Sequence, residues 1–566
     1  MISHQLKKNE MKQFYIIILT LFLTFSMHAQ VVYEHISNTS IYDYLDEMAG
    51  LKIIELNSII KPYPRKMIRE KLDIIQEASE NNMQLLSKRQ KKELEFYLKA
   101  YALEAAPPMD FNRKTTLFNK QKNLALAAHP PGLFYKDSLF TLALQPIAGG
   151  RYSTNENGGL TETWWGGSLW GYIGKNFGFY SSLRDHNVSR IMTAPEYFVQ
   201  QPGVPFKNYG DEGIDYSEAR GGMMVSWDWG SFGLVKDHVE WGTGYNGTNI
   251  QSGRAPSFAM IKLNLKPVRW FEFDYYHGWL VSQVIDSANS YYSNGTYRKV
   301  FYPKYMAANM FTFYPVKNLI FSFGNSIVYS DLGGPHAAYL IPFLFYKSVD
   351  HTLNATTGGV GQNSQMFFNI SSRNIKYLHL YVNLFLDDFS INHFRASDEY
   401  NLLSWKFGFR LSDFPLKNLS LIAEYTHTNP VVYQHKIETI TYTSNRYNMG
   451  HYLRDNSREI YLALLFKPIR GLQVKLAYTL GQHGDDYDYA DCANDPDCDL
   501  HKLPPLDNIT WENQTIQLDA RYEIVGNTYV FMSFMAGNAT GNVDKYTPEY
   551  YHGKTNTFSF GANIGF

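Results

Sequence analysis

Cysteine is nearly missing from this chain of 566 residues: only Cys492 and Cys498 occur, which rules out a disulfide framework and any cysteine-rich metal centre. An excess of charge of either sign is missing too. The formal net charge is -1, so nothing marks the chain for nucleic acid or for a basic membrane-surface patch. Beyond the N-terminus there is no long apolar run, which excludes membrane-spanning helices. Catalytic signatures are likewise scarce: none of the 17 histidines falls in an H-E-x-x-H pairing, and no G-x-S-x-G elbow occurs. These absences point away from an enzyme and from a resident metal or other cofactor.

Aromatic residues, in contrast, are abundant, at 16% with 43 Tyr and 37 Phe. They favour strands, and in membrane barrels they form girdles at the two interfaces. The N-terminus has the form of a secretion signal. Lys12 precedes the apolar run Phe14 to Phe25, and Ser26-Met27-His28-Ala29 offers a small residue at the cut. The run is too short to span a bilayer, so the expectation is a cleavable peptide over 1–29, with Met11 as the natural start.

From Ser40 to Glu104 the pattern is helical. Ile41, Leu45, Met48 and Ala49 share one face; Lys61-Pro62-Tyr63-Pro64 breaks the chain; Met67, Ile68, Leu72 and Ile75 form the next stripe. Ser87 and Gln90 have the spacing of a capping box ahead of Leu94, Tyr97 and Leu98. Three short amphipathic helices bury little alone and should dock on something larger. Residues 30–108 are therefore expected to be a periplasmic helical segment.

Near Phe140 the period switches to 2. Ile516, Leu518, Ala520, Tyr522 and Ile524 alternate with Gln517, Asp519, Arg521 and Glu523. Leu472 to Leu480 repeats the pattern, and so does the final segment, Thr557 to Phe566. Such strands need one apolar and one wet surface. Short turns recur between them: Pro267-Val268-Arg269-Trp270, Pro315-Val316-Lys317-Asn318, Pro415-Leu416-Lys417-Asn418 and Pro468-Ile469-Arg470-Gly471. Tight connections also sit at 174–176, 229–231, 374–376 and 525–527. Proline presets one turn dihedral and Gly or Asn accepts the left-handed position. The other connections are long and polar: 185–213, 278–302, 331–362, 427–456 and 481–510. Short turns on one side and long loops on the other is the asymmetry of an outer-membrane barrel. Eight short turns imply about eighteen strands. The expected fold is a transmembrane antiparallel up-and-down β-barrel over 109–566, with a small N-terminal helical bundle, in the cell outer membrane. Outer-membrane lipid would be its surroundings.

The segment Asp237-His238-Val239-Glu240-Trp241-Gly242-Thr243-Gly244-Tyr245-Asn246-Gly247, continuing through Ser252-Gly253-Arg254-Ala255-Pro256-Ser257-Phe258, resembles the capsule-assembly Wzi family. Tyr42-Asp43-Tyr44-Leu45 and Lys61-Pro62-Tyr63-Pro64-Arg65 are similar to that family's helical region. The resemblance implies an eighteen-stranded barrel plugged by a helical bundle. It also implies a surface lectin that attaches or assembles capsular or extracellular polysaccharide, with the polysaccharide export machinery as a partner.

In the glycine-rich loop, Trp241 and Tyr245 have the chemistry to stack on sugar rings, and Asn246, Asn249, Gln251 and Arg254 to hydrogen-bond hydroxyls or an acidic sugar. The bland alternative is that the glycines shape a constriction loop inside the lumen and that Trp241 belongs to an interface girdle. Cys492 and Cys498 lie amid seven aspartates and are expected to form a small disulfide. Those carboxylates lack the EF-hand spacing for calcium, since Leu500 and Leu506 stand where its glycine and glutamate belong. A porin or substrate-specific channel is the alternative function, because a barrel this wide can hold an aqueous pore.

Overall fold

A computed structural model describes residues 30–105, 124–192, 197–204, 213–354, 361–394 and 398–565. The signal-peptide reading of 1–29 and the terminal Phe566 lie outside these residues. Eighteen strands close into one antiparallel barrel. In chain order they are β1 (Phe140–Asn155), β2 (Gly158–Ile173), β3 (Phe177–Val188), β4 (Ile214–Trp227), β5 (Gly230–Asp237) and β6 (Phe258–Val268). Then come β7 (Phe271–Leu280), β8 (Lys304–Val316), β9 (Leu319–Tyr329), β10 (Asn363–Ser372), β11 (Leu378–Asp388) and β12 (Leu402–Ser412). The last are β13 (Leu419–Thr428), β14 (Ser457–Phe466), β15 (Leu472–His483), β16 (Trp511–Val525), β17 (Thr528–Gly541) and β18 (Gly553–Ile564). Each pairs with the next, and β18 closes on β1, with Phe558 opposite Thr154 and Ile564 opposite Ala148. A hairpin of Leu124–Ala128 and Pro131–Lys136 extends the same edge of β1 beyond the end of β18.

The eight tight turns fall where their chemistry places them, all at one end of the barrel. Gly174, Asn318, Asn418, Gly471 and Asn527 take positive φ there, the backbone region that Gly and Asn tolerate best. The side-chain period of 2 then assigns the two faces. Ile516, Leu518, Tyr522 and Ile524 of β16 are exposed on the outer surface. From the other face of the wall Lys475 reaches Asp519 across the lumen side, at 3.3 Å. An apolar exterior around a charged interior is the inverse of a soluble sandwich, and lipid is the solvent that suits it.

Three helices precede the wall: α1 (Thr39–Gly50), α2 (Arg65–Asn81) and α3 (Lys88–Ala100). The Ser87–Gln90 capping box forms at the start of α3. Ile41, Leu45, Met48, Ile68, Leu72, Ile75, Leu94 and Tyr97 bury one another in a core of their own, each worth about 1.5–3 kcal/mol relative to exposure. The bundle is then seated at the short-turn end by charge. Asp43 pairs with Arg410 at 2.6 Å, Asp46 with Arg373, and Glu47 with Lys467 at 3.0 Å. Arg89 donates to the turn residue Asn418 at 2.8 Å, and the Tyr377 N–H donates to the Gly50 carbonyl at 2.8 Å.

The 331–362 connection departs from the expectation of a free polar loop. Its described part carries a 3-10 turn, Ala337–Leu340, and α4 (Tyr346–Asn354). This stretch folds back along the outer face of β7, β8 and β9, where Tyr339 and Tyr346 join Phe273, Tyr275, Ala307 and Ile327 in one cluster.

Candidate functional site

The glycine-rich loop between β5 and β6 turns into the barrel. Glu240–Trp241 and Gln251–Ser252 form its two short arms, and Ile60–Lys61 of the N-terminal segment pairs alongside. The proline break of the helical region and the loop are thus stitched into one three-stranded sheet. Gly242 sits at φ 102°, and a Cβ there would lie 2.2 Å from the Thr248 hydroxyl, so the crossing admits glycine alone.

The tip spans the lumen to the opposite wall. Thr243 N–H donates to Asn383 Oδ1 at 3.1 Å, and Asn383 Nδ2 donates to the Thr243 carbonyl at 2.7 Å. The Tyr245 and Asn246 N–H groups donate to the two oxygens of Glu424, at 2.7 and 2.9 Å. Asn246 Nδ2 donates to Glu459 at 2.8 Å, and Asn249 Nδ2 to Ser404 Oγ at 3.2 Å. Glu424 and Lys406 are both fully enclosed, and their ion pair is 3.0 Å long. Buried charges of this kind persist only when paired and hydrogen-bonded.

The six residues singled out from sequence divide into two groups. Trp241, Asn249, Gln251 and Arg254 are each 2% exposed or less. Trp241 packs edge-on against Tyr276 and Phe367, with ring centroids 5.2 and 6.0 Å away; it lies inside the lumen rather than in an interface girdle. Gln251 donates to the Tyr276 hydroxyl, and Arg254 Nε donates to the Val199 carbonyl at 2.8 Å. Tyr245 and Asn246 are half-buried. The Tyr245 hydroxyl donates to Asp46 at 2.6 Å and meets His379 Nδ1 at 2.8 Å, so the loop also clasps α1. Burial alone would raise the Asp46 carboxyl, but Arg373 and Arg410 hold it well below the ordinary carboxylate range.

Tyr245 fronts a cavity of about 740 Å³ that lies between α1, the loop tip and the wall of β1 to β4 and β15 to β17. Its far wall combines rings and paired charges. His186 stacks on Tyr216 at 4.5 Å, with Trp164 6.1 Å from His186 on the other side. Arg184 reaches Glu218 at 2.9 Å, and Arg151 pairs with Glu162. Flat rings beside fixed donors and acceptors can hold a polyhydroxylated ring by its face and its edge. Sequence reasoning missed this wall. The available signal was parity, since Glu162 and Trp164 share the inward face of β2, whereas Trp165 points outward and is 66% exposed.

Among the described residues one trio has the composition of a metal centre: His35, Glu218 and His238, with ligand atoms within 4.8 Å of one another. Glu218 Oε1 lies 2.7 Å from His238 Nε2, whose Nδ1 faces the Ala255 carbonyl at 3.2 Å. The second oxygen of Glu218 already serves Arg184. A cation placed there would compete with that guanidinium, so the donor set suits shared protons better than an ion. Cys492, within the short helix α5 (Tyr489–Asn494), is joined to Cys498 by a disulfide.

Residues 223–549 match the family model described as capsule assembly protein Wzi. Among solved structures, the chain is similar to Wzi of Escherichia coli, described as an outer membrane protein involved in group 1 capsule assembly and a carbohydrate-binding β-barrel. The TM-score is 0.53 at 12% identity, covering 95% of this chain and 100% of that one. Pseudomonas aeruginosa OccD3 (OpdP) aligns at a TM-score of 0.41 and 12% identity, over 74% of this chain and 90% of its own. Acinetobacter baumannii OccAB2 aligns at 0.41 and 10%, over 76% and 99%. No curated protein matches the sequence.

Proposed function

Because the chain belongs to the capsule assembly Wzi family, we propose that this outer-membrane barrel binds capsular or extracellular polysaccharide at the cell surface and helps assemble it there, without itself catalysing a reaction. Its short-turn end and the helices α1 to α3 would face the periplasm, and its long loops the exterior, where polymer delivered by export machinery arrives. The observation that carries this reading is the crossed lumen. The loop tip is tied to the far wall through Asn383 and Glu424, and the helices are bound to the inner wall through Arg373, Arg410 and Lys467. Two obstructions tied to each other suit an anchor better than a conduit.

The loop-tip residue best placed to touch a sugar is Tyr245, with Trp164, His186 and Tyr216 across the cavity, while Asn246 is held by Glu424 and Glu459 of the opposite wall. Trp241, Asn249, Gln251 and Arg254 would act by holding the tip in position. The test is binding of purified protein to polysaccharide from its own cells. Trp164→Ala should weaken binding about tenfold, equivalent to ~1.4 kcal/mol of lost stacking. Deleting the gene should release polymer into the medium. Unchanged surface polymer in the deletion strain would sink the proposal.

A further inference from the structure

The outer wall of β8 and β9 breaks its own rule. Phe311, Phe313, Phe321 and Phe323 point outward, and the same parity turns Asn309 and Asn325 outward as a directly opposed pair. Phe313, stacked on Trp270 at the short-turn rim, lies only four residues from Asn309. At about 3.3 Å per residue and a tilt near 40°, the pair stands ~10 Å above that rim, within an apolar band ~25 Å tall. Two carboxamides facing hydrocarbon without partners would each cost several kcal/mol.

The 337–346 segment covers them. Asn309 Nδ2 donates to the carbonyls of Pro342 and Leu344, at 2.9 and 3.0 Å. Asn325 Oδ1 accepts from the Tyr346 N–H at 2.9 Å, and Asn325 Nδ2 donates to Asn309 Oδ1 at 2.8 Å. On the neighbouring strand, opposite Asn309, the Tyr275 hydroxyl donates to the Tyr339 carbonyl at 3.0 Å. Phe343 stacks on the outward ring of Phe273 at 4.4 Å. The outer side of this strap is apolar and open: Leu340, Ile341 and Phe345 are between 41% and 50% exposed, and Phe343, though stacked on Phe273, still leaves 54% of its surface open.

We propose that this strap is a lipid-binding surface: residues 337–346 lie within the hydrocarbon layer of the membrane, their backbone matched to Asn309 and Asn325 and their side chains presented to acyl chains. The inference rests on the barrel spanning the outer membrane, not on its ligand. Irregular backbone is excluded from hydrocarbon because its polar groups go unsatisfied. Here the wall supplies partners for the carbonyls that turn toward it, and proline at 342 removes one N–H from the account. Each oddity resolves the other: the misplaced asparagines make the strap tolerable in lipid, and the strap makes the asparagines tolerable.

The two native cysteines are bonded to each other, so a single introduced cysteine is a unique thiol. Ile341→Cys and Phe343→Cys would be labelled with a nitroxide in full-length protein reconstituted in phosphatidylcholine vesicles. Collision with oxygen, which partitions into lipid, is compared with collision with a water-soluble nickel chelate. The expected result is oxygen dominance at both sites and chelate dominance at a control label, Tyr292→Cys, on the exposed Tyr291–Ser293 hairpin. Chelate dominance at 341 and 343 would overturn lipid contact. Low collision with both reagents would also overturn it, by showing a protein partner such as a second copy over the strap. In an Asn309→Leu/Asn325→Leu variant whose heat-modifiable gel migration shows an intact barrel, the 341 label should move to the aqueous profile. Retention of the lipid profile there would refute the role assigned to the pair.

Discussion

Asp43, Asp46 and Glu47 look like ordinary solvated acids on an amphipathic helix, yet they carry the docking of the helical bundle. Arg410 serves both Asp43 and Asp46, at 2.6 and 3.3 Å, and is almost wholly buried. Removing one partner from such a network strands the others without solvent, at a cost of about 3–5 kcal/mol. Arg410→Ala is therefore expected to loosen α1 while the wall survives. Faster proteolysis within residues 39–100, with gel migration unchanged, is the readout; wild-type protection would show that the ion pairs are dispensable. His35 gives a second test at this scale. Burial lowers its pKa to about 4, from an ordinary value near 6.5, so at neutral pH its 3.8 Å approach to Glu218 is not an ion pair. A depressed histidine contributes stability above the unfolded pKa and loses it as pH falls toward the folded one. The N-terminal segment should thus loosen between about pH 6.5 and 4. A His35→Gln variant should flatten that part of the pH dependence of thermal unfolding; an unaltered profile would count against it.

Elements were the most legible level. The Ser87–Gln90 box, the eight turns and the alternation of β15, β16 and β18 rest on interactions within a few residues, and they appear where the pattern places them. The long connections were not legible in the same way. The stretch around Pro342 reads as an exposed loop, and nothing nearby reveals that Asn309 and Asn325 await its carbonyls. The Cys492–Cys498 loop is a local device by comparison, with a sequence separation of 6. Closing so short a loop restrains the unfolded chain by only about 2 kcal/mol. Reduction should expose residues 489–502 to protease and leave polysaccharide binding and gel migration unaltered. Loss of the folded barrel on reduction would mean that the bridge supports the wall.

At the scale of the whole molecule, closure turns a one-dimensional alternation into an inside and an outside. It brings Tyr245 next to Asp46, 199 residues apart in sequence. It also sets Trp164, His186 and Tyr216 across a cavity from the loop tip. A lumen crossed by a loop and seated with helices should pass no steady current in planar bilayers. Combining Arg373→Ala with Arg410→Ala should free the helices, and stepwise openings should then appear; steady conductance in the unaltered protein would favour a channel.

Barrel class, strand number, turn positions and the cap of α3 were readable along the chain, because a turn dihedral, a cap or an alternating strand is specified by its near neighbours. Which aromatic residues would reach a ligand was not readable. Trp241 carried the chemistry of a sugar platform but is sealed against Tyr276 and Phe367, while Trp164, one of many aromatics in the wall, lines the cavity. Exposure in a closed barrel depends on what crosses the lumen opposite each residue, and those partners come from other strands and loops, far beyond the local sequence pattern.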